Sequence, residues 1–193
     1  MSILNNRFKE LADLIPLFEI EAGAKIEAAA NLIVETFQKD NKVMICGNGG
    51  SAADSQHFAA EFVNAFSKDL QRKSLSAIAL TTDTSVLTSI SNDFDFINIF
   101  ARQVEAHSRS GDVLIVLTTS GSSKNCLKAV EQAKNYGIKS IAFTRTGGKI
   151  SELSDICIQV PSDNTQHIQE CHMLAYHVIT EIVEEKLFRG VTP

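Results

Sequence analysis

Two glycine- and hydroxyl-rich stretches and one polar helical stripe are the parts of this sequence that could do chemistry. Gly47-Asn48-Gly49-Gly50-Ser51 follows an apolar strand-like run and opens a helical pattern. Glycines let the backbone turn sharply and approach a ligand, and a helix start offers unpaired N–H groups. The spacing is not the dinucleotide-binding GxGxxG, nor a Walker loop, because no Gly-Lys-Ser/Thr follows. The stretch reads as a ligand cradle or as a plain strand-to-helix turn. Thr118-Thr119-Ser120-Gly121-Ser122-Ser123 holds the equivalent place later in the chain, with five hydroxyls at a helix start. One hydroxyl suffices to cap a helix. Five exceed that need, so this stretch is expected to bind an anion such as phosphate, helped by the helix dipole.

The helical pattern after the first loop carries Asp54, His57, Glu61 and Asn64 at spacings of three, four and three, which puts them on one polar stripe. Phe58, Ala59, Phe62, Val63 and Phe66 make the adjacent apolar face. A His–Glu pair at i, i+4 can share a metal or relay a proton. The bland alternative is a solvated face with a weak ion pair. Near the end of the chain, Gln169, His172 and His177 lie among Ile168, Leu174, Val178, Ile182 and Val183. That apolar spacing says one face packs, which favours hydrogen-bonded structural histidines over ligands. His107 and His167 have no partner visible in the sequence and read as surface histidines.

These groups need a frame. Short apolar runs stand at Val43–Cys46, Leu75–Leu80, Val113–Leu117, Ser140–Phe143 and Ile156–Val160. Most do not alternate, as expected for parallel strands buried on both faces. Helical patterns lie between them at Ala52–Phe66, at Thr84–His107 with a break near Asn92, at Asn125–Tyr136, at Ile150–Leu153 and at Gln166–Phe188. The first forty residues read as two helices. Pro16 ends or kinks the first, and Ile26, Ala29, Ala30, Ile33, Val34 and Phe37 stripe the second. The alternation predicts a right-handed, doubly wound, flavodoxin-like α/β fold with about five parallel strands. Ligands in such sheets bind beyond the carboxyl ends of the strands, at the switch point. The chemistry is therefore expected in the loops after Cys46, Leu80 and Leu117.

The 193 residues fit one domain, and 44% hydrophobic with 21% charged residues is a globular rather than a disordered composition. The net charge of −5 excludes a broad positive field for nucleic acid or an anionic membrane. Local amides and hydroxyls can still hold a small anion. No run of about 18 apolar residues occurs, so no membrane span is expected. Arg7, Lys9 and Glu10 arrive too early for a secretory signal. Cys46, Cys126, Cys157 and Cys171 form no CxxC pair, which argues against a zinc finger or redox motif. Cys46 and Cys157 sit in strand-like runs and read as buried reduced thiols, implying a reducing cytoplasm.

Four stretches in order, GNGGSAADSQHFAAEF from Gly47, SND at Ser91–Asp93, TTSGSS from Thr118 and HIQECHMLAYH from His167, resemble the phosphoheptose isomerase branch of the SIS (sugar isomerase) domain family. The likeness runs over nearly the whole chain. It implies a single SIS domain over 1–193, with residues 1–40 as a helical extension taking part in oligomerisation. It implies conversion of sedoheptulose 7-phosphate to D-glycero-D-manno-heptose 7-phosphate, the first step toward the heptose of bacterial surface polysaccharide. The family is cytoplasmic, usually homotetrameric, and builds its sites at subunit interfaces. Carried over by position, Asn48, Gly49, Gly50, Ser51, Asn92, Asp93 and Gln169 would contact substrate, and Thr118, Thr119, Ser120 and Ser123 would surround the phosphate. His57, Glu61, Gln169 and His177 would be zinc ligands. Glu61, also against substrate, and His177 would be the acid/base pair.

One carried-over role meets a geometric constraint. Gln169 and His177 are eight residues apart, about 12 Å along a helix and about 80° around it. One zinc ion needs every ligand within about 2.0–2.3 Å. Gln169 must therefore precede the regular helix, or one of the two must come from a neighbouring subunit; the interface explanation is preferred. The chain also departs from the family pattern. Asn64-Ala65 replaces a common Gly-Arg, losing a fixed cation; Thr118 replaces a serine and Ser122 an asparagine. These changes bear on which sugar phosphate is used. A non-catalytic SIS relative that binds the replication initiator DnaA is the competing class, because SAADSQHFAA and the ending EKLF are shared in flavour. That branch lacks the acid/base pair, whereas Glu61 and His177 are both present here.

Overall fold

The computed structural model of the protein describes residues 2–189. The five apolar runs become five parallel strands in one sheet: β1 (Val43–Gly47), β2 (Ala77–Ala79), β3 (Val113–Leu117), β4 (Lys139–Arg145) and β5 (Ile156–Val160), in the order β2-β1-β3-β4-β5. Six α-helices accompany them: α1 (Ile3–Gln38), α2 (Gly50–Val63), α3 (Thr84–Asp93), α4 (Ala101–His107), α5 (Lys124–Asn135) and α6 (Thr165–Glu184). Successive strand residues point to opposite faces. Val43, Ile45, Ile115, Leu117 and Phe143 pack with α1, α2 and α6, while Met44, Cys46, Leu114, Val116 and Ala142 pack with α3, α4 and α5. Both faces are covered, which is why the strands read as continuous apolar runs. The sheet reverses direction of growth at β1 and β3, so the two candidate loops leave neighbouring strands at the switch point.

The N-terminal region differs from expectation. It is a single helix, and Pro16 lies inside it. Proline there forfeits one i→i−4 hydrogen bond. The buried stripe Leu14, Phe18, Ala22, Ile26 runs straight through that point, so packing against α6 and β5 overrides the break. Pro16 itself is exposed. Pro16→Ala is therefore expected to raise stability by about 1–3 kcal/mol, the residue-level cost of an interior helical proline less its unfolded-state benefit. Thermal and urea denaturation measure this directly.

The break near Asn92 is present: α3 ends at Asp93, a short 3₁₀ turn covers Phe96–Asn98, and α4 follows. Residues 64–76 form no regular element; α2 stops at Val63 and β2 is only three residues long. A buried ion pair organises this segment. Arg72, with no side-chain exposure, and Glu184, at 2%, meet at 2.7 Å. Arg72 also donates to the carbonyls of Phe62 and Glu61, and Glu184 accepts from the backbone N–H groups of Phe66 and Ser67. The carboxylate thus closes the end of α2 onto the end of α6.

Two histidines differ from expectation. His167 is not a surface residue: it is 4% exposed, with Nδ1 2.7 Å from Glu170 and Nε2 3.1 Å from Glu10. Its neighbour on α1 is 157 positions away in sequence, which hides the partnership from local pattern. His172 is structural but not hydrogen-bonded. It is fully buried, neither ring nitrogen has a partner, and it packs edge-on to Phe143. Burial pushes its pKa down to about 4. The four cysteines are free, Cys157 only half-buried, and burial pushes the thiols of Cys126 to about 12 and of Cys157 and Cys171 to about 11.

Candidate active site

The two loops face one cleft of about 490 Å³, lined by Asn48, Gly49, Ser123, Lys124 and Asn125, with Asp95, Phe96 and Ile97 on its far side. Asn48 and Asn125 lock the loops together by a reciprocal amide pair, 2.8 and 2.9 Å. Asn125 is buried and carries no sequence signal of its own; only the pairing across 77 positions reveals its part. Gly49 adopts φ +58°, so the expectation of a conformationally demanding loop holds. Gly50 has a different reason to be glycine. A Cβ there would stand 2.4 Å from Gln169 Nε2, so the Gln169 amide lies directly over the loop.

In the second loop, Thr118 Oγ1 donates to Ser123 Oγ at 3.2 Å, and Ser122 N–H to Ser120 Oγ at 3.3 Å. The N–H groups of Thr119, Ser120 and Ser123 have no partner among the described residues. Ser123 occupies the cap position of α5 without making a capping bond. Hydroxyls and amides are therefore left free at a helix N-terminus, the arrangement that suits phosphate. Gly121, φ +66°, packs so tightly that a Cβ would sit 2.5 Å from both Gly148 Cα and Thr144 Oγ1. Gly121→Ala must displace the loop. We expect inorganic phosphate to bind at least about tenfold more weakly, since misplacing binding groups by an ångström costs up to ~10²-fold. Calorimetric titration of the folded variant tests this.

Where α2 meets α6, His57, Glu61 and His177 converge, one ligand-type atom from each lying within 4.8 Å of the others. His57 Nε2 is 2.9 Å from Glu61 Oε1, and the rings of His57 and His177 are 5.1 Å apart. α2 and α6 bring them together by running side by side, with Tyr176 and His177 opposite His57, and Glu184 opposite the residues just after α2. Burial lowers the pKa of His177, as does His57 beside it, with Glu61 opposing. Both effects favour its neutral form, which ligates a metal or accepts a proton.

The expected polar stripe is split by packing. His57 and Asn64 are exposed, Glu61 is half-buried and Asp54 is buried. Tyr176, absent from the sequence-derived candidates, is fully buried against Phe58, and its hydroxyl lies 2.9 Å from His57 Nδ1. The Asp54 carboxyl lies close enough to influence the same hydroxyl. Burial raises the Asp54 pKa, while His57 and Tyr176 oppose. Burial, helped by Asp54 and Glu61, also raises that of Tyr176.

Gln169 does not join this cluster. It lies within α6, not ahead of it, so the first way out of the spacing problem is excluded. Its amide reaches Gly50, seven residues and about 10 Å up α2 from His57. Asn92 and Asp93 close α3, exposed and hydrogen-bonded to each other, and are not among the cleft-lining residues. Ser51 is buried at the start of α2, where its carbonyl accepts from Ser55.

The family model described as SIS domain matches residues 8–145. A phosphoheptose isomerase of Akkermansia muciniphila is 43% identical over 97% of this chain and 98% of its own length. One from Roseiflexus sp. is 51% identical over 84% of this chain and 82% of its own. The phosphoheptose isomerase structure from Francisella tularensis superposes with a TM-score of 0.90 at 37% identity, covering 96% of this chain and 100% of that one. That from Neisseria gonorrhoeae gives 0.89 at 39% identity, covering 94% and 97%.

Proposed function

Since the chain belongs to the SIS domain family, and within it to the phosphoheptose isomerases, we propose that it is an aldose–ketose isomerase acting on sedoheptulose 7-phosphate. The observation that carries this reading is the contact of Glu61 with a histidine pair whose second member, His177, is 116 positions away in sequence. Glu61 removes a proton from C1 of the ketose, leaving an enediol, and returns it to C2. His177 accepts the proton of the C1 hydroxyl while the C2 oxygen gains one. The product is D-glycero-D-manno-heptose 7-phosphate, and protons balance. Thr118, Thr119, Ser120 and Ser123 hold the phosphate, with Asn48, Gly49, Gly50, Ser51 and Gln169 along the sugar. Asn92 and Asp93 complete it only if a neighbouring subunit or a loop movement brings them in.

Two imidazoles and a carboxylate fit zinc. His57, Glu61 and His177 would hold it, and Gln169 of a neighbouring subunit would complete the set. Zinc, when bound, polarises the substrate carbonyl. A carboxylate has two oxygens and an imidazole two nitrogens, so ligation and proton transfer need not use the same atom. A homotetramer is the assembly this reading implies, and the cytoplasm its setting. It is supported by the exposed apolar side chains of Ile3, Leu4, Phe8, Leu17 and Ile20 on α1 and of Met173, Leu174 and Val178 on α6. No described helix is long and apolar enough to cross a membrane.

The test is direct. Purified protein incubated with sedoheptulose 7-phosphate should yield aldose anomeric signals in the proton spectrum, with metal content following zinc. Absence of turnover with and without added zinc, together with co-elution of the replication initiator, would favour the binding-protein class instead.

A further inference from the structure

We propose that Arg72 and Glu184 are positioning residues for the proton-transfer pair: their buried ion pair braces the last turn of α2 against the end of α6, and so holds Glu61 and His177 in one place. This rests on the reading of Glu61 and His177 as the acid/base pair. Glu61 stands third from the end of α2, in the turn where helices fray. That turn has no basic residue of its own, and no backbone N–H among the described residues bonds the Glu61 carbonyl. Arg72 fills the place. Its Nη2 donates to the Glu61 carbonyl at 2.7 Å and its Nη1 to the carbonyls of Phe62 at 2.9 Å and Lys73 at 3.0 Å, while its Nε donates to Glu184 Oε1 at 2.7 Å.

The other half of the brace is on α6. Glu184 is its last residue, seven after His177, which is about two turns and about 10 Å along one face. Its Oε1 also accepts from the Phe66 N–H at 2.8 Å, and its Oε2 from the Ser67 N–H at 3.0 Å. Phe66 is thereby fixed with its ring 5.6 Å from the His177 imidazole, between centroids. One ion pair thus reaches the base through its own carbonyl, and the imidazole through the aromatic ring beside it. The guanidinium fork is planar and rigid, whereas a lysine ammonium is a point charge on a flexible stem. A lysine at this position would still neutralise Glu184, but it would not hold two consecutive helix carbonyls and a carboxylate together. Proton transfer feels that difference, because a misplacement of about an ångström costs up to ~10²-fold. The hydroxyl-rich loop from Thr118 leaves a different strand, β3, and shares none of these bonds.

Arg72→Lys separates positioning from stability. With zinc in excess, and at a temperature where circular dichroism shows the variant folded, kcat for sedoheptulose 7-phosphate should fall about 10–100-fold. KM and the calorimetric affinity for inorganic phosphate should stay within about twofold of wild type, since only the reacting groups have moved. Proton cross-relaxation between the Phe66 and His177 rings, present in wild type, should weaken or vanish in the variant. Ile158→Ala, a cavity in β5 outside the site, is the matched control: its Tm falls and its kcat does not. Should Arg72→Lys fail to fold, Glu184→Gln, which keeps the shape and removes the charge, is read in the same way. A folded variant with wild-type kcat, a phosphate affinity that falls as far as kcat, or an equal loss of kcat in Ile158→Ala overturns the proposal. If wild type does not isomerise the substrate at all, the isomerase reading fails by itself, and the ring-to-ring contact alone decides the positioning role.

Discussion

Glu61→Gln should lower kcat/KM for sedoheptulose 7-phosphate by ~10²–10⁴-fold, the range a positioned general base contributes. Glutamine keeps the size and a hydrogen bond to His57, but it cannot take a carbon-bound proton. Glu61 is half-buried on the surface of α2. Its removal should therefore shift stability by no more than about 1 kcal/mol, and the fold can be verified by thermal melting. A second readout separates base from ligand. Exchange of the substrate C1 proton with deuterated solvent should stop in the variant even at saturating zinc. A folded Glu61→Gln that turns over near the wild-type rate would end the isomerase mechanism given above.

The second large effect concerns stability. Glu184→Ala should destabilise the protein by about 3–5 kcal/mol, since it strands the fully buried guanidinium of Arg72. For a chain of this size that is on the order of 10 °C in Tm. Arg72→Ala should cost a comparable amount, and the double variant less than the two combined, because each single change leaves an uncompensated charge. The pair also sets an acid limit. Burial works to raise the Glu184 pKa, but the hydrogen bonds from Arg72, Phe66 and Ser67 outweigh it and hold the carboxyl below the ordinary range. A depressed carboxyl contributes stability above the unfolded carboxylate value of about 4.3. That contribution fades as pH falls from there through the lower folded value. Urea midpoints measured between pH 6 and pH 3 should fall more steeply in wild type than in Glu184→Gln.

Much of the frame could be read from the sequence, for one physical reason. A strand covered on both faces must be apolar throughout, so Val43–Cys46, Val113–Leu117 and Ile156–Val160 announce themselves and their parallel pairing. Glycine at 47, 49 and 50 and the hydroxyls from Thr118 mark the loops at the switch point, because close backbone approach and free N–H groups need those residue types. Glu61 and His177, the proposed acid/base pair, are legible only through the resemblance of their stretches to the phosphoheptose isomerases.

Elsewhere the residue types are silent, because what decides them is contact across the chain. Pro16 signals a break by its own covalent geometry, yet the stripe from Leu14 to Ile26 has a partner in α6, and packing over many residues outweighs one lost hydrogen bond. His167 looks solitary until α1 brings Glu10 beside it. Tyr176 and Asn125 carry no signal at all, since a phenol or an amide becomes functional only by what it faces. The i, i+4 pairing of His57 with Glu61 is local, and the sequence determined it. That His177 completes the trio while Gln169, on the same helix, lies over Gly50 instead depends on how α6 sits against α2. Side-chain period and residue type are local properties; the relative placement of two helices is a sum over the whole core, and only the tertiary structure could decide it.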